Sequence, residues 1–407
     1  MQINRLALKN FKCFKEVDVS FSKITLLTGE NSSGKSSLIY GILAPLQSIK
    51  MNTISFPLSL SLNGHYVNMG GFADISSNHN LKNQIGIELT VEYNSIIISI
   101  ITKWDFNHHS KSPKLAYLKS KFRTSFLEII QNEDLSYIVN SSGAFSGKAL
   151  SLLNTNESLD TYDLHGLLFY SFLGTLYDET LPDSEFNFNF ISSFRLQPER
   201  TYYQSLASNK VDKFGSGYID QILEWNDSQS KELYELVNIL KYLKILYDIK
   251  PHRLVGGRFE IKVKVKSRSK WESLSDVGFG ISQFLPIIVA DLQLSDNSTL
   301  IMSQPEIHLH PSVQANLGDY LVKQVNERNK NYIVETHSEY LLNRMRLLIV
   351  KGEIKPEDVA VYYFENSIKD GSIAHRIEFT KDGQILNAPK GFFETYMIDT
   401  MDIALNA

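Results

Sequence analysis

The chain has 407 residues, 43% of them hydrophobic and 21% charged, with a formal net charge of −4. That length suffices for one large domain with an insertion, or for two to three domains around a sizeable core. The charge excludes a global polycation built for nucleic acid, and the single cysteine, Cys13, excludes an internal disulfide framework and a cysteine-cluster zinc site. The N-terminus carries Arg5 and Lys9 without a signal-type apolar core, and the longest apolar runs, near 96–101 and 284–290, are too short to span a bilayer. A soluble, cytoplasmic protein with no membrane partner is expected.

Residues 2–28 alternate, with Ile3, Leu6, Leu8, Phe11, Phe14, Val17, Val19 and Phe21 on the apolar positions. This predicts two short strands leading into a buried one, Ile24-Thr25-Leu26-Leu27. Next comes Gly29-Glu30-Asn31-Ser32-Ser33-Gly34-Lys35-Ser36-Ser37, which fits G-x-x-x-x-G-K-[ST], and residues 37–43 read as an apolar-faced helix. Strand, glycine loop and helix are the context a phosphate-binding loop requires. Glycines let backbone N–H groups turn inward around phosphate oxygens, and the helix N-terminus adds its positive dipole end. In such a loop Lys35 reaches the β- and γ-phosphates and Ser36 ligates Mg²⁺.

Further on, residues 51–82 read as loop with short strands, and 83–105 as a hairpin turning near Asn94. Residues 106–190 change character: histidine, lysine and serine crowd 107–123, and 164–176 is a dense apolar, helix-like stretch. Residues 188–194 look like a strand returning to the first part. Residues 218–247 have helical spacing for one or two helices, and 254–272 alternate again, with Phe259, Ile261, Val263 and Val265 opposite lysines. Residues 276–390 then alternate helices with the apolar strands 300–302, 332–334 and 359–364, an α/β pattern around the loop strand.

A phosphate loop needs acidic residues on a neighbouring strand to hold Mg²⁺ and orient water. The strand 298–302 is followed by Ser303-Gln304-Pro305-Glu306-Ile307-His308-Leu309-His310-Pro311, and the strand 332–334 by Glu335-Thr336-His337-Ser338. A histidine after an apolar strand suits a donor aimed at a γ-phosphate. Ahead of both lies residues 274–283, a serine- and glycine-bearing turn that opens a helix.

This ordered set resembles the ABC-type ATPases of the RecF, OLD and SMC-like group. It is most similar to their small bacterial AAA-15 or AAA-21 branch, related to the Septu ATPase. The resemblance rests on Leu8-Lys9-Asn10-Phe11-Lys12-Cys13-Phe14, the phosphate loop, the 276–283 segment, 305–311, Thr336-His337-Ser338 and Pro389-Lys390-Gly391-Phe392-Phe393. It implies an ABC-type P-loop NTPase head, an α/β fold with a mixed sheet, flanking helices and an antiparallel β subdomain, carrying a mainly helical insertion. The implied order is a head lobe over 1–105, the insertion over 106–190, a return strand and helices over 191–253, and a second head lobe over 254–407.

By the same resemblance, Gly29, Glu30, Asn31, Ser32, Ser33, Gly34, Lys35, Ser36 and Ser37 bind ATP, and Lys12 lies near the base. Gly278, Gly280, Ser282 and Gln283 belong to a signature that contacts the γ-phosphate held by a second subunit, residues 308–311 form the D-loop, and His337 is the switch histidine. Two composite sites then form in a head-to-tail homodimer. Ser303 and Gln304 stand where the family has acidic residues. Serine can hold a magnesium-bound water, so Ser36 and Ser303 are the metal candidates. Glutamine orients water but is a poor base. Glu306 either replaces the missing carboxylate or makes a structural bond in the D-loop; both readings stand. Catalytic candidates are therefore Gln304, Glu306 and His337.

Other features have plainer readings. A D-loop role outweighs metal binding for the His308-x-His310 pair. A solvated strand face outweighs phosphate-backbone tracking for Lys262, Lys264, Lys266, Arg268 and Lys270, and likewise for Lys111, Lys114, Lys119, Lys121 and Arg123. Arg195 and Arg200 face nucleotide or an interface, or make ordinary salt bridges. The expected function is a dimeric switch controlled by ATP and Mg²⁺, acting in anti-phage defence or DNA maintenance with a nuclease effector, and DNA as a further partner. The alternative is a hydrolysis-deficient, ATP-locked scaffold.

Overall fold

In the computed structural model, which describes residues 1–50, 60–93, 95–132, 137–142, 187–204, 210–367, 369–389 and 392, the alternation of residues 2–20 becomes a hairpin. Strands are numbered along the chain. β1 (Gln2–Phe11) pairs antiparallel with β2 (Phe14–Ser20), setting Leu6 opposite Val19 and Leu8 opposite Val17. The chain divides into two units: one of Met1–Phe21, Glu30–Phe186 and Phe364–Ala374, the other of Ser22–Gly29, Asn187–Tyr363 and His375–Ala407.

In the first unit β1 also pairs with β4 (Ile85–Tyr93), which forms the expected hairpin with β5 (Ile96–Phe106). The helix Lys35–Lys50 packs on β1 so closely that a Cβ at Gly41 would lie 2.7 Å from Leu8 Cδ1. Arg5 ties three strands together, bonding Asp18 on β2 and Glu88 on β4. Residues 60–82 hold one short helix, Phe72–Ile75, and a single-turn helix, Ser77–His79, where short strands were expected.

The described part of the expected insertion is strand. β6 (Pro113–Phe122), β7 (Ser125–Gln131) and β8 (Tyr137–Ser142) continue the antiparallel meander from β5. Leu115, Leu118, Leu127 and Ile129 are buried, while Lys121 is exposed and Lys119 is bonded to Glu128. One lysine-rich face and one apolar face are what a half-buried strand needs, and the charge crowding obscured that period of two. The helical stretch expected over 164–176 lies outside the described residues.

In the second unit β3 (Ile24–Gly29), β15 (Asn331–Glu335), β14 (Thr299–Ser303) and β9 (Phe188–Ile191) run parallel in that spatial order. β16 (Val359–Ser367) neighbours β3. Ile24, Leu26, Leu300, Met302, Tyr332 and Val334 enter one core cluster with residues of the helices Tyr218–Asp227, Lys231–Tyr242, Phe279–Gln293, Pro311–Arg328 and Glu339–Val350. A second small sheet joins β10 (Tyr202–Tyr203), β11 (Asp248–Arg253), β12 (Arg258–Lys264) and β13 (Glu272–Ser273). Its Phe259, Ile261 and Val263 enter the same cluster.

One polar network sits inside this core. Asp291 and Lys330 are 0% and 1% exposed and form an ion pair of 3.3 Å. Tyr320 and Tyr332 donate their hydroxyls to the same carboxylate. The network links the helix Phe279–Gln293, the helix Pro311–Arg328 and the start of β15. A buried charge pair of this kind is tolerable because both carboxylate oxygens have partners.

Candidate functional site

The phosphate loop opens where β3 ends. Gly29 and Gly34 take φ of 128° and 104°, and Ser32 is left-handed at 60°. The loop is held from within: Ser33 donates its hydroxyl to the Glu30 carbonyl (2.8 Å), and the Glu30 N–H donates to the Phe364 carbonyl (3.1 Å). Lys35, only 4% exposed, donates to the Glu30 carbonyl, so its ammonium lies over the loop. Lys35, Ser36 and Ser37 form the first turn of the helix that follows. Gly34 lies against the β1–β2 turn, where a Cβ would come within 2.7 Å of both Cys13 Sγ and Phe14 Cζ. Glycine there is required by sterics and by φ together.

Lys12, in the same turn, is left-handed at φ 51° and donates its N–H to the Ile75 carbonyl. Its ammonium stands 5.8 Å from the centroid of Tyr40, on the helix after the loop. Burial lowers its pKa, and the charge of Asp74 opposes that shift. The sequence candidate for the base side is thus placed beside the loop helix.

In the second unit Ser303 ends β14 and Glu335 ends β15 as register partners, and Glu335 is in turn the partner of Leu27 on β3. After Ser303 the chain turns sharply. Gln304 is left-handed at φ 47°, and its N–H donates to the Glu335 carbonyl (2.7 Å). Arg195, 3% exposed, donates to the carbonyls of Ser192 (2.9 Å), Ser303 (3.3 Å) and Gln304 (3.1 Å). Burial pushes its pKa down to about 10, and the charge of Glu306 resists the shift. Arg195 is therefore a brace for the turn, a charged donor to backbone oxygens, rather than one half of a surface salt bridge. Arg200 does make the ordinary bridge, to Asp276.

Glu306 sits inside that turn, 9% exposed. One oxygen accepts the backbone N–H of His337 (2.7 Å), and the other has no partner among the described residues. Burial raises its pKa, opposed chiefly by the His337 N–H. His337 itself is exposed. Thr336 and Ser338 close the switch turn: Thr336 Oγ1 accepts from the Ser338 N–H, and Ser338 donates to Gln314, whose amide donates to the Leu309 carbonyl.

The signature segment meets the same turn. A Cβ on Gly280 would fall 2.3 Å from the His308 carbonyl oxygen, and the Phe279 and His308 rings meet edge-on at 4.9 Å. Gly278 and Phe279 are exposed, and Gly278 has open space at its Cβ position. Ser282 and Gln283 are instead buried, donating to the carbonyls of Phe279 and Leu196. His310 caps the helix Pro311–Arg328, its Nδ1 accepting from the Ser312 N–H. The two histidines thus have separate tasks.

Around the second sheet, Lys262 pairs with Glu260, and Lys250 and Lys264 lie over the Trp271 ring. Residues that sequence reasoning passed over are Glu335 and Gln314. An acidic residue closing an apolar strand was the available signal for the first.

Hard oxygen donors suit Mg²⁺: the first unit offers the Ser36 hydroxyl, and the second, by itself, the Ser303 hydroxyl and the Glu335 carboxylate at the ends of paired strands. The glycine-turned backbone of residues 29–34, leading into the N-terminus of the helix Lys35–Lys50, suits a phosphate. A glycine loop between strand and helix, with parallel neighbours ending in a polar turn and a histidine, defines a P-loop ATPase. The chain belongs to the AAA_15 family, AAA ATPase domain, whose model matches residues 1–342. Nucleotide binding comes with that membership. The model of a protein of unknown function, DUF3696, matches residues 354–403. Among curated proteins none matches the chain.

Solved structures similar to it include the SMC head domain from Thermotoga maritima (13% identity, 92% of this chain and 98% of that one, TM-score 0.44). Another is the SmcHead bound to the C-winged helix domain of ScpA (12% identity, 94% and 99%, TM-score 0.44). A third is the Smc head domain with an extended coiled coil bound to the C-terminal domain of ScpA, derived from Pyrococcus furiosus (10% identity, 99% and 99%, TM-score 0.41). Among the described residues no helix is long and apolar enough to cross a membrane.

Proposed function

We propose that this chain binds ATP with Mg²⁺ at Gly29–Ser37 and hydrolyses it slowly, Glu306 being the proton acceptor. One observation carries the reading. Glu306 is a buried carboxyl with raised pKa, fixed through one oxygen by the His337 N–H, its other oxygen unpartnered among the described residues. A general base needs a fixed orientation, one available oxygen and a raised proton affinity, and Glu306 has all three. The backbone bond to His337 also couples the base to the switch turn, so a shift of that turn moves the carboxylate. Bound Mg²⁺ supplies neutralisation of phosphate charge. Ser36 and Ser303 would be the hydroxyls that hold it, Gln304 would orient water, and Lys35 would neutralise the phosphates.

On this reading two copies associate head to tail, each offering Gly278 and the exposed start of its signature helix to the other's nucleotide. The resulting switch serves a nuclease effector in anti-phage defence or DNA maintenance, in the cytoplasm. The test is phosphate release with ATP binding measured in parallel. Glu306→Gln should bind ATP as the wild type does and lose about 10²–10⁴-fold in turnover, whereas Lys35→Ala should lose binding. Unchanged turnover in Glu306→Gln would remove Glu306 from the chemistry. An increase in mass to twice the protomer on adding ATP tests the dimer. The neutral pair Ser303 and Gln304 supports a second reading, an ATP-locked scaffold, which background turnover with retained nucleotide would favour.

A further inference from the structure

β14 ends in Ser303, a neutral residue, at the level where a nucleotide site of this kind needs negative charge for Mg²⁺. The nearest strand supplies it. In parallel pairing, registered residues point to the same face of the sheet, roughly 4.8 Å apart. Ser303 is registered with Glu335, and Glu335 with Leu27. The alternate positions Met302, Val334 and Leu26 all enter the helix-packed core cluster. Ser303, Glu335 and Leu27 therefore form one row on the opposite face. Two residues after Leu27 the chain reaches Gly29 and enters the phosphate loop.

The row is held level by backbone bonds on both sides of Glu335. The Gln304 N–H donates to the Glu335 carbonyl (2.7 Å), and the Thr336 N–H to the Leu27 carbonyl (2.9 Å). Glu335 is 5% exposed and Ser303 is 6% exposed, so both side chains lie at a largely dehydrated edge where a charge acts strongly. Glu306, by contrast, is committed through one oxygen to the His337 N–H, on the turn beyond the strand end.

From this register we infer that Glu335 is the Mg²⁺-directed carboxylate of this ATPase, taking over across the β14–β15 pair the role Ser303 lacks. The carboxylate has moved one strand sideways while the sheet keeps its level. The inference rests on the ATP-binding reading above.

The experiment measures ATP affinity with and without Mn²⁺, the bound ion also being read by its electron paramagnetic resonance. Wild type should bind ATP more tightly with Mn²⁺. Glu335→Gln should keep the metal-free affinity and lose about 10- to 100-fold of the Mn²⁺-linked gain. Ser303→Asp placed in that background should restore the gain and the ion's signal. Glu335→Asp, which keeps the charge, should retain most of it. A Glu335→Gln protein with the full Mn²⁺ linkage, or a double variant with none, overturns the assignment. Thermal unfolding of each variant establishes folding, and should Glu335→Gln not fold, Ser303→Asp alone must strengthen Mn²⁺ binding for the assignment to stand. If wild type binds no nucleotide, the ATP-binding reading itself fails. If Lys35→Ala abolishes binding while Glu335→Gln changes nothing, only this inference does.

Discussion

Replacing Gly34 by alanine puts the phosphate loop in direct conflict with the β1–β2 turn. The new methyl carbon would stand 2.7 Å from Cys13 Sγ and 2.7 Å from Phe14 Cζ. At φ 104° an L-residue is also strained, at a cost of about 1–3 kcal/mol. Overpacking adds about 1–3 kcal/mol when neither neighbour yields. The loop has two ways to relax. If Phe14 and Cys13 shift, the cost appears as lost stability of the first unit, because Phe14 is fully buried and meets Phe364 edge-on. If the loop shifts, the N–H groups no longer converge, and a penalty of roughly 2 kcal/mol weakens ATP binding about 30-fold. The assay is ATP affinity by calorimetry together with thermal unfolding on the same preparations. Gly34→Ala should lose in one or both, and the two losses should sum to roughly 2–6 kcal/mol. Adding Cys13→Ala should recover only part, since Phe14 Cζ and the backbone strain remain. Wild-type affinity and wild-type unfolding in Gly34→Ala would refute the packing argument.

The remaining expectations concern the second unit. Lys330→Met leaves the Asp291 carboxylate buried without its cation. It should cost about 3–5 kcal/mol in denaturant unfolding, whereas the joint Lys330→Met, Asp291→Leu change should cost much less. Arg195→Ala uncovers three carbonyls around the Ser303–Gln304 turn. It should destabilise by at least ~1.5–3 kcal/mol and lower phosphate release more than ATP affinity. For Glu306 the sign follows from its raised pKa. The folded state holds the proton more tightly than the unfolded state, so stability is fully present below the ordinary value of 4.5 and declines as pH rises from there through the folded value. Glu306→Gln should remove that decline in pH-dependent unfolding curves. Turnover, which needs the ionised carboxylate, should fall as pH drops through the same window, ATP binding being far less affected.

Much of the architecture was legible because the relevant signals are local. The alternation of Leu6, Leu8, Val17 and Val19 encodes a hairpin, and the short apolar runs at 300–302 and 332–334 encode strands buried on both faces. The glycine loop announces itself by spacing alone. What escaped was non-local or disguised. The strands at 113–142 carry their period of two, but lysines on the open face read as a change of domain character. Arg195 was visible as a charged residue. Its burial against the carbonyls of Ser303 and Gln304 depends on chain more than a hundred residues away. The contact of Cys13 and Phe14 with Gly34 is likewise set by how the β1–β2 turn packs, which no pattern in residues 8–14 records.

The same distinction bears on Ser303 and Gln304. Read along one strand, their neutrality says that the site lacks the charge to hold Mg²⁺ and activate water. A parallel sheet, however, assembles its edge from neighbours that are 32 residues apart in sequence and one strand apart in space, as Ser303 and Glu335 are. On the proposed assignments, Glu335 to the metal and Glu306 to the proton, the two tasks usually joined on one strand would fall to separate elements. Both are anchored to the switch turn, Glu335 as the residue before Thr336 and Glu306 through the His337 N–H. On those assignments a movement of that turn would alter metal binding and base position together. If both assignments hold, loss of the motif's own carboxylates weakens the case for hydrolysis less than the local sequence suggests, and hydrolysis should follow the state of the switch turn at His337.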